Sequence, residues 1–154
     1  MTQEEKELLH RDLSSRLPYK VKCYNSKYRQ DLAEEIICIT INNNHNCVQL
    51  GTFLFKLEDV KPYLFPLSSM TEEQKKELFK YCEFYIQENG EGKNEEVYGI
   101  EIARRPDPAY CYDHTFRIWG IDMRAINWLL KNHFDIYGLI PMDLAIDATG
   151  LNIY

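Results

Sequence analysis

The chain has 154 residues, and its 18 basic and 24 acidic side chains give a formal net charge of −6. Hydrophobic residues make up 45% and charged residues 27% of it, which excludes a disordered or fibrous protein. This length predicts one domain over residues 1–154. An acidic chain lacks the broad basic face that duplex nucleic acid requires, so we predict no such partner.

Compartment and cofactors are predicted from what the sequence lacks. The amino-terminal residues contain no apolar run of signal-peptide length, so we do not expect export by that route. No stretch approaches about 18 consecutive apolar residues, which predicts no membrane partner. The five cysteines form no CxxC pair, and the four histidines lie far apart. We therefore predict a cytoplasmic protein with reduced thiols, no metal site and no cofactor.

The amino-terminal quarter predicts a helix followed by a strand. Thr2 and Glu5 match a capping box, and apolar residues recur behind them at helical spacing until Pro18 ends the helix. Residues 19–24 then alternate apolar and basic side chains, as a half-buried strand does.

The next segments predict a hairpin and an irregular connection. Residues 36–41 and 47–50 flank an asparagine-rich turn and are predicted to pair. Residues 52–57 prolong the second arm or form a further strand after a bend at Gly51. Residues 61–69 contain two prolines and are predicted to be an extended connection without regular structure.

The second half predicts two helices around two strands. Thr71 begins another capping box, for a helix that runs to about Asn89. Strands are predicted over residues 97–103 and 110–119, and Asp122 caps the last helix. This order is not the regular alternation of a parallel sheet. It predicts a single α+β domain with an antiparallel sheet of four to six strands and about three helices, packed mainly on one face.

Three stretches together resemble a known but uncharacterised family. They are RLPY at residues 16–19, EDVKPYLFPLSSMT at residues 58–71, and NWLLKNHFD at residues 127–135 with GLI at residues 138–140. Their order and spacing resemble small proteins of gut bacteria and their prophages. The resemblance implies an intracellular accessory protein of a phage or mobile element, and it implies no activity.

The first candidate binding segment is basic and rich in tyrosine. Lys20, Lys22 and Tyr24 would share the solvent face of a strand, where cationic and aromatic groups suit a nucleotide or single-stranded nucleic acid. The alternative is an edge strand whose lysines prevent association between sheets.

The second candidate segment follows a proline-rich turn. Arg104 and Arg105 offer bidentate donors for a phosphate or carboxylate, and Tyr110, Tyr112 and His114 follow closely. This is the chemistry of a ligand site in a loop. The alternative is a solvated loop leading into a strand.

Two further hypotheses are enzymatic catalysis and nucleic-acid mimicry. Cys111, Asp113 and His114 are the residue types of a thiol hydrolase, but no motif surrounds them, so we assign no catalytic residue. The acidic helix predicted from residue 72 could imitate nucleic acid, although such a face is usually only solvated.

The preferred hypothesis is a non-enzymatic binding protein whose partner is another protein, contacted through exposed tyrosines. The alternative is a protein that binds or sequesters a nucleotide or another small anion through Arg104, Arg105, Tyr110 and Tyr112. A small hydrolase is the third hypothesis. The sequence leaves the oligomeric state open.

Overall fold

The computed structural model describes residues 1–27, 33–42, 45–86, 101–102, 110–112, 116–121 and 123–154. Within these residues the chain forms three α-helices and two β-sheets. The helices are α1 (Gln3–Arg16), α2 (Glu72–Phe79) and α3 (Met123–Lys131). The strands are β1 (Lys22–Asn25), β2 (Glu34–Asn42), β3 (His45–Leu50), β4 (Phe53–Lys56), β5 (Val60–Leu64), β6 (Cys82–Ile86), β7 (Glu101–Ile102), β8 (Tyr110–Tyr112), β9 (Phe116–Ile121) and β10 (Ile146–Asp147). The chain is thus a single α+β domain, as its sequence predicts.

Helix α1 begins and ends where the sequence predicts. The Thr2 hydroxyl accepts a hydrogen bond from the Glu5 amide at 3.2 Å, and the Glu5 carboxylate accepts one from the Thr2 amide at 2.7 Å. These reciprocal bonds satisfy two amides that a helix start leaves unpaired. Leu9 and Leu13 are fully buried on one side of the helix. A short 3₁₀ turn, Leu17–Tyr19, then contains the proline that stops α1.

The six strands of the larger sheet lie in the order β10-β5-β1-β2-β3-β4. All neighbours are antiparallel except β10 and β5, which are parallel. The predicted hairpin is confirmed as β2 and β3, and β4 follows it as a further antiparallel strand. Gly51 turns the chain between β3 and β4 with φ +53, a conformation that side chains rarely adopt.

The prediction of an irregular connection at residues 61–69 is wrong for its first part. Residues Val60–Leu64 form β5, which lies between β10 and β1 despite Pro62. Strand β10 pairs only with Tyr63 and Leu64, so pairing on that side of β5 begins after the proline. The missing amide hydrogen of Pro62 therefore removes no bond from the described ladders.

Two predictions in the second half are also wrong. Helix α2 ends at Phe79 and not near Asn89, and the chain continues as β6. Its capping box is as predicted, with Thr71 and Gln74 bonded reciprocally. The strand predicted over residues 110–119 is two strands, β8 and β9, which pair with each other.

The smaller sheet contains the strands of the second half in the order β6-β9-β8-β7, all antiparallel. Of the strand predicted at residues 97–103, the structure shows Glu101–Ile102 as β7, and the remainder lies outside the described residues. The predicted single antiparallel sheet is therefore divided into two sheets, one of them with a parallel edge pair.

The core consists of two clusters of buried side chains. The first joins α1, the larger sheet and the carboxyl-terminal segment, with fully buried members Leu9, Leu13, Val21, Val48, Leu64 and Leu139. The second joins α2, α3 and the loops beside them, and comprises Met70, Leu78, Ala125, Trp128, Leu129 and Phe134.

Candidate functional site

The candidate segment near residue 110 lies mostly outside the described residues. Arg104, Arg105 and His114 are not among them. Tyr110 and Tyr112 begin and end β8, which pairs with β9 on one side and β7 on the other. The two tyrosines therefore lie in an interior strand of the smaller sheet. The proposed ligand site of these five residues stays a prediction.

The residues of the hydrolase hypothesis are divided in the same way. Cys111 lies in β8, whereas Asp113 and His114 lie outside the described residues. Among the described cysteines, burial raises the pKa of the Cys23 thiol, which disfavours the thiolate that a nucleophile requires. No group of three or more metal-ligating side chains is found in the described part of the chain.

The basic segment near residue 20 is only partly exposed. Strand β1 lies between β5 and β2, so the interpretation of this segment as an edge strand is wrong. Lys20 is exposed and its ammonium lies 4.0 Å from the Glu35 carboxylate. Lys22 and Tyr24 are half-buried. The three side chains thus do not form one solvent-facing row.

Lys22 is occupied by the chain's own carboxyl-terminal segment. Its ammonium donates to the Ile153 carbonyl at 2.6 Å and lies 5.9 Å from the centroid of the Tyr154 ring. Its backbone amide donates to the Tyr154 hydroxyl at 3.1 Å. A phosphate could therefore reach this ammonium only in competition with residues 153–154.

A buried ion pair joins α1 to the segment after α3. Arg16 and Asp12 have no solvent exposure, and both bonds of the bidentate pair are 2.8 Å long. Arg16 also donates to the carbonyls of Phe134, at 2.7 Å, and Leu130, at 3.4 Å. Burial raises the pKa of Asp12, while the charge and hydrogen bonds of Arg16 oppose this effect. We call Asp12 and Arg16 the buried anchor.

Three stretches of the chain, at residues 16–19, 58–71 and 127–140, meet beside the buried anchor. Arg16 belongs to the first. Phe65, in the second, donates its amide to the His133 carbonyl at 2.9 Å and accepts at its carbonyl from the Asp135 amide at 2.8 Å. The Asp135 carboxylate accepts two further backbone amides, from Leu139 and Ile140. These contacts give the three stretches a role in holding the fold.

His133 lies at the same junction in an unusual environment. Its φ is +60, and its Nδ1 atom is buried without a hydrogen-bond partner. The imidazole stacks on the ring of Tyr154, with centroids 4.0 Å apart. Burial, together with the nearby charge of Arg16, lowers the pKa of His133 to about 4.

Two exposed apolar side chains of the larger sheet lie together on β4, the last strand in its order among the described residues. Phe53 is 52% and Leu54 is 46% exposed. Phe53 is aligned with Leu50 of β3, and Leu54 is aligned with Gln49 on the opposite face. We call Phe53 and Leu54 the β4 surface. Ile37, at a bulge in β2, is a further exposed apolar residue of this sheet at 56%.

The buried anchor, the position of His133 and the exposure of the β4 surface have no local signal in the sequence. Asp12 and Arg16 have the four-residue spacing of a helical ion pair, but burial depends on the docking of residues 130–135. The β4 surface was predicted as a strand without a statement of which side chains it exposes. Of the tyrosines predicted to lie on an exposed binding face, Tyr24 is half-buried, whereas Tyr154, for which no exposure was predicted, is 43% exposed.

Comparison with known proteins identifies no relative of this chain. No family model, curated protein or solved structure matches the chain. No helix in the described part of the chain has the length and apolar character to cross a membrane. The class of protein that the structure defines is a single-domain α+β protein with a mixed six-stranded sheet.

Proposed function

We propose that this protein is a non-enzymatic intracellular binding protein and that its partner is another protein, which docks on the β4 surface. The observation that carries the proposal is the exposure of Phe53, at 52%, and Leu54, at 46%, on the last strand of the larger sheet. The family resemblance supports the further proposal that the protein is an accessory product of a phage or mobile element.

The position of the β4 surface supports a protein partner. β4 is the last strand of the larger sheet among the described residues, and an edge strand can receive an extended segment as a further strand. Phe53 and Leu54 lie on opposite faces of that edge, so an added strand would cover apolar side chains on both faces. Aromatic and aliphatic side chains that lose their exposure in this way are typical anchors of protein interfaces.

The residues of β4 include few of the features that protect an edge strand from pairing. Edge strands in soluble proteins are commonly protected by charges, prolines or bulges. The sequence of β4 is FLFK, in which Lys56 is the last residue and the only charged one. The register of β3 with β4 runs without a shift from Cys47↔Lys56 to Leu50↔Phe53, so no bulge turns β4 away from a partner.

Affinity capture with the full-length protein as bait, in a lysate of the source cells, tests the proposal. Leu54→Asp places a charge in the β4 surface, and Met123→Asp is the matched control, since Met123 is 65% exposed at the start of α3. We expect a partner to be retained by the wild type and by Met123→Asp and lost by Leu54→Asp. Equal retention by Leu54→Asp contradicts the docking site, and the absence of any retained protein contradicts the function.

A further inference from the structure

The side chain of Tyr154 lies between β1, β5 and the loop after α3. Its hydroxyl accepts from the Lys22 amide at 3.1 Å and donates to the Tyr63 carbonyl at 2.7 Å. Its ring stacks on His133 at an interplanar angle of 12°, and the Phe65 ring lies 5.9 Å away, tilted by 50°. We call the four residues around it, Lys22, Tyr63, Phe65 and His133, the tyrosine cradle.

The hydroxyl of Tyr154 takes the place of a backbone bond in the larger sheet. Strands β1 and β5 pair at Cys23↔Pro62, so Lys22 and Tyr63 would form the next bonded pair of the antiparallel ladder. Instead, the phenol oxygen bridges the Lys22 amide and the Tyr63 carbonyl. This gap offers one donor and one acceptor, a combination that a hydroxyl satisfies and a phenylalanine ring does not.

The gap follows from the way in which β5 changes neighbours. Along its length β5 pairs with β1 as far as Pro62, and from Phe65 onward the chain bonds with His133 and Asp135. The cradle lies where the first neighbour ends and the second begins. Its two polar groups are backbone groups of β1 and β5, and strand pairing holds these strands on either side of the gap.

The segment that carries Tyr154 is attached to the body at few points. The Ala148 amide donates to the Leu64 carbonyl, and the next backbone bonds are local, from Leu151 to Ala148 and from Ile153 to Leu151. Leu151 is 46% and Tyr154 is 43% exposed. Among the described residues, neither core cluster includes residues 151–154. Displacement of the segment would remove the ring contact with Phe65, which packs against the second cluster, but would remove no buried member of either cluster.

We propose that the tyrosine cradle is a binding site for a tyrosine side chain, which the chain's own Tyr154 fills in this structure and a tyrosine of a partner protein fills after the segment is displaced. Only the source of that tyrosine rests on the proposed function. Selectivity for tyrosine over phenylalanine follows from the two backbone groups, because an apolar ring would leave both unpaired. Displacement of the segment also frees the Lys22 ammonium from the Ile153 carbonyl.

The test uses the full-length Tyr154→Ala variant and p-cresol, which carries the phenol of tyrosine without its backbone. We expect p-cresol to bind this variant saturably, to shift the Lys22 amide resonance and to raise Tm with concentration. Toluene, which lacks the hydroxyl, should bind about ten-fold more weakly. The wild type and the control variant Tyr137→Ala, altered at another half-buried tyrosine, should show no shift at Lys22.

Equal affinity for toluene and p-cresol, or binding without a shift at Lys22, overturns the proposal. Amide hydrogen exchange in the wild type supplies a measurement that does not depend on the variant's folding. The Lys22 amide should exchange faster than the Ile36 amide, which donates to the Val21 carbonyl at 3.0 Å between strands. Equal protection of the two amides contradicts displacement of the segment. Neither measurement involves the β4 surface. The results for the tyrosine cradle are therefore independent of the affinity capture that tests docking on β4.

Discussion

The two edge strands of the larger sheet, β10 and β4, differ in length and in the side chains that they expose. At one edge, β10 has two residues, and its Asp147 is exposed and accepts the Thr149 amide at 2.8 Å in a turn that ends the strand. At the other edge, β4 has four residues and exposes Phe53 and Leu54. The first edge has the short length and charge that prevent strand addition, whereas β4 is longer and has its single charge at its last residue, Lys56.

The difference is that one edge is contacted by other segments of the same chain and the other is not covered by any described segment. The side of the sheet near β10 is held by the buried anchor, by His133 and by the segment that ends at Tyr154. The β4 side has the exposed apolar residues Phe53 and Leu54, which we propose that a partner covers. Substitutions on the β10 side should therefore reduce the stability of the fold, whereas substitutions on the β4 surface should reduce partner binding alone.

The largest expected loss of stability comes from the buried anchor. Arg16→Met leaves the Asp12 carboxylate buried without its partner and should lower the free energy of unfolding by about 3–5 kcal/mol. The control is Lys6→Met, because Lys6 pairs with Glu58 at 2.7 Å while both side chains are over a third exposed. That change should cost no more than about 1 kcal/mol in urea unfolding. Equal losses would contradict the role of the anchor.

The next effect is a pH dependence that originates at His133. Its pKa is about 4 in the folded chain, below its ordinary value of 6.5, so the unfolded chain binds more protons between these values. Stability should therefore fall as pH decreases from about 6.5 through about 4. After a discount for partial solvent access, this contribution is about 2 kcal/mol.

His133→Asn isolates that contribution, because asparagine tolerates the positive φ of this residue. Thermal unfolding of the wild type and the variant should be compared at pH 7 and pH 4. The wild type should lose more stability than the variant over this interval. Parallel losses in the two proteins would show that His133 is not the group responsible.

A smaller loss is expected at the hydroxyl of Tyr154. Tyr154→Phe keeps the ring but leaves the Lys22 amide and the Tyr63 carbonyl without their bridge, which should cost about 1 kcal/mol. The comparison is Lys22→Met, which removes the ammonium bond to Ile153 and retains the backbone amide. Urea unfolding should show the greater loss for Tyr154→Phe, and the reverse order would contradict the bridging role of the hydroxyl.

The smallest effect on stability is expected at the β4 surface. Leu54→Asp changes a side chain that is 46% exposed, so it should alter the free energy of unfolding by no more than about 0.5 kcal/mol. The same variant should lose the partner. A destabilisation as large as that of Arg16→Met would mean that Leu54 supports the fold, and the comparison between the two edges would then fail.

Local signals in the sequence predicted the local parts of the fold. The capping boxes at Thr2 and Thr71 and the hairpin of β2 with β3 depend on neighbouring residues, and the structure contains all three. The continuation of α2 to Asn89 was wrong because Cys82, Tyr85 and Ile86 fit a helical stripe, yet they pair with β9, about 35 residues further along the chain.

The parts that sequence reasoning missed depend on contacts between distant residues. Pro62 lies inside the sheet opposite Cys23 of β1, and β10 begins its pairing with β5 at the next residue, Tyr63. The cradle requires Lys22, Tyr63 and His133 to meet, and no spacing in the sequence indicates that they do. Exposure at β4 likewise follows from strand order and not from the residues of β4 themselves.

Photo-crosslinking in the source cells tests the central claim, that the β4 edge receives a protein partner. A photoreactive phenylalanine analogue is placed at Leu54 and, in a second protein, at Met123, which is more exposed at 65% but lies on α3. We expect a discrete crosslinked protein from residue 54 and none from residue 123. Crosslinking of equal yield from both residues, or from residue 123 alone, would contradict it.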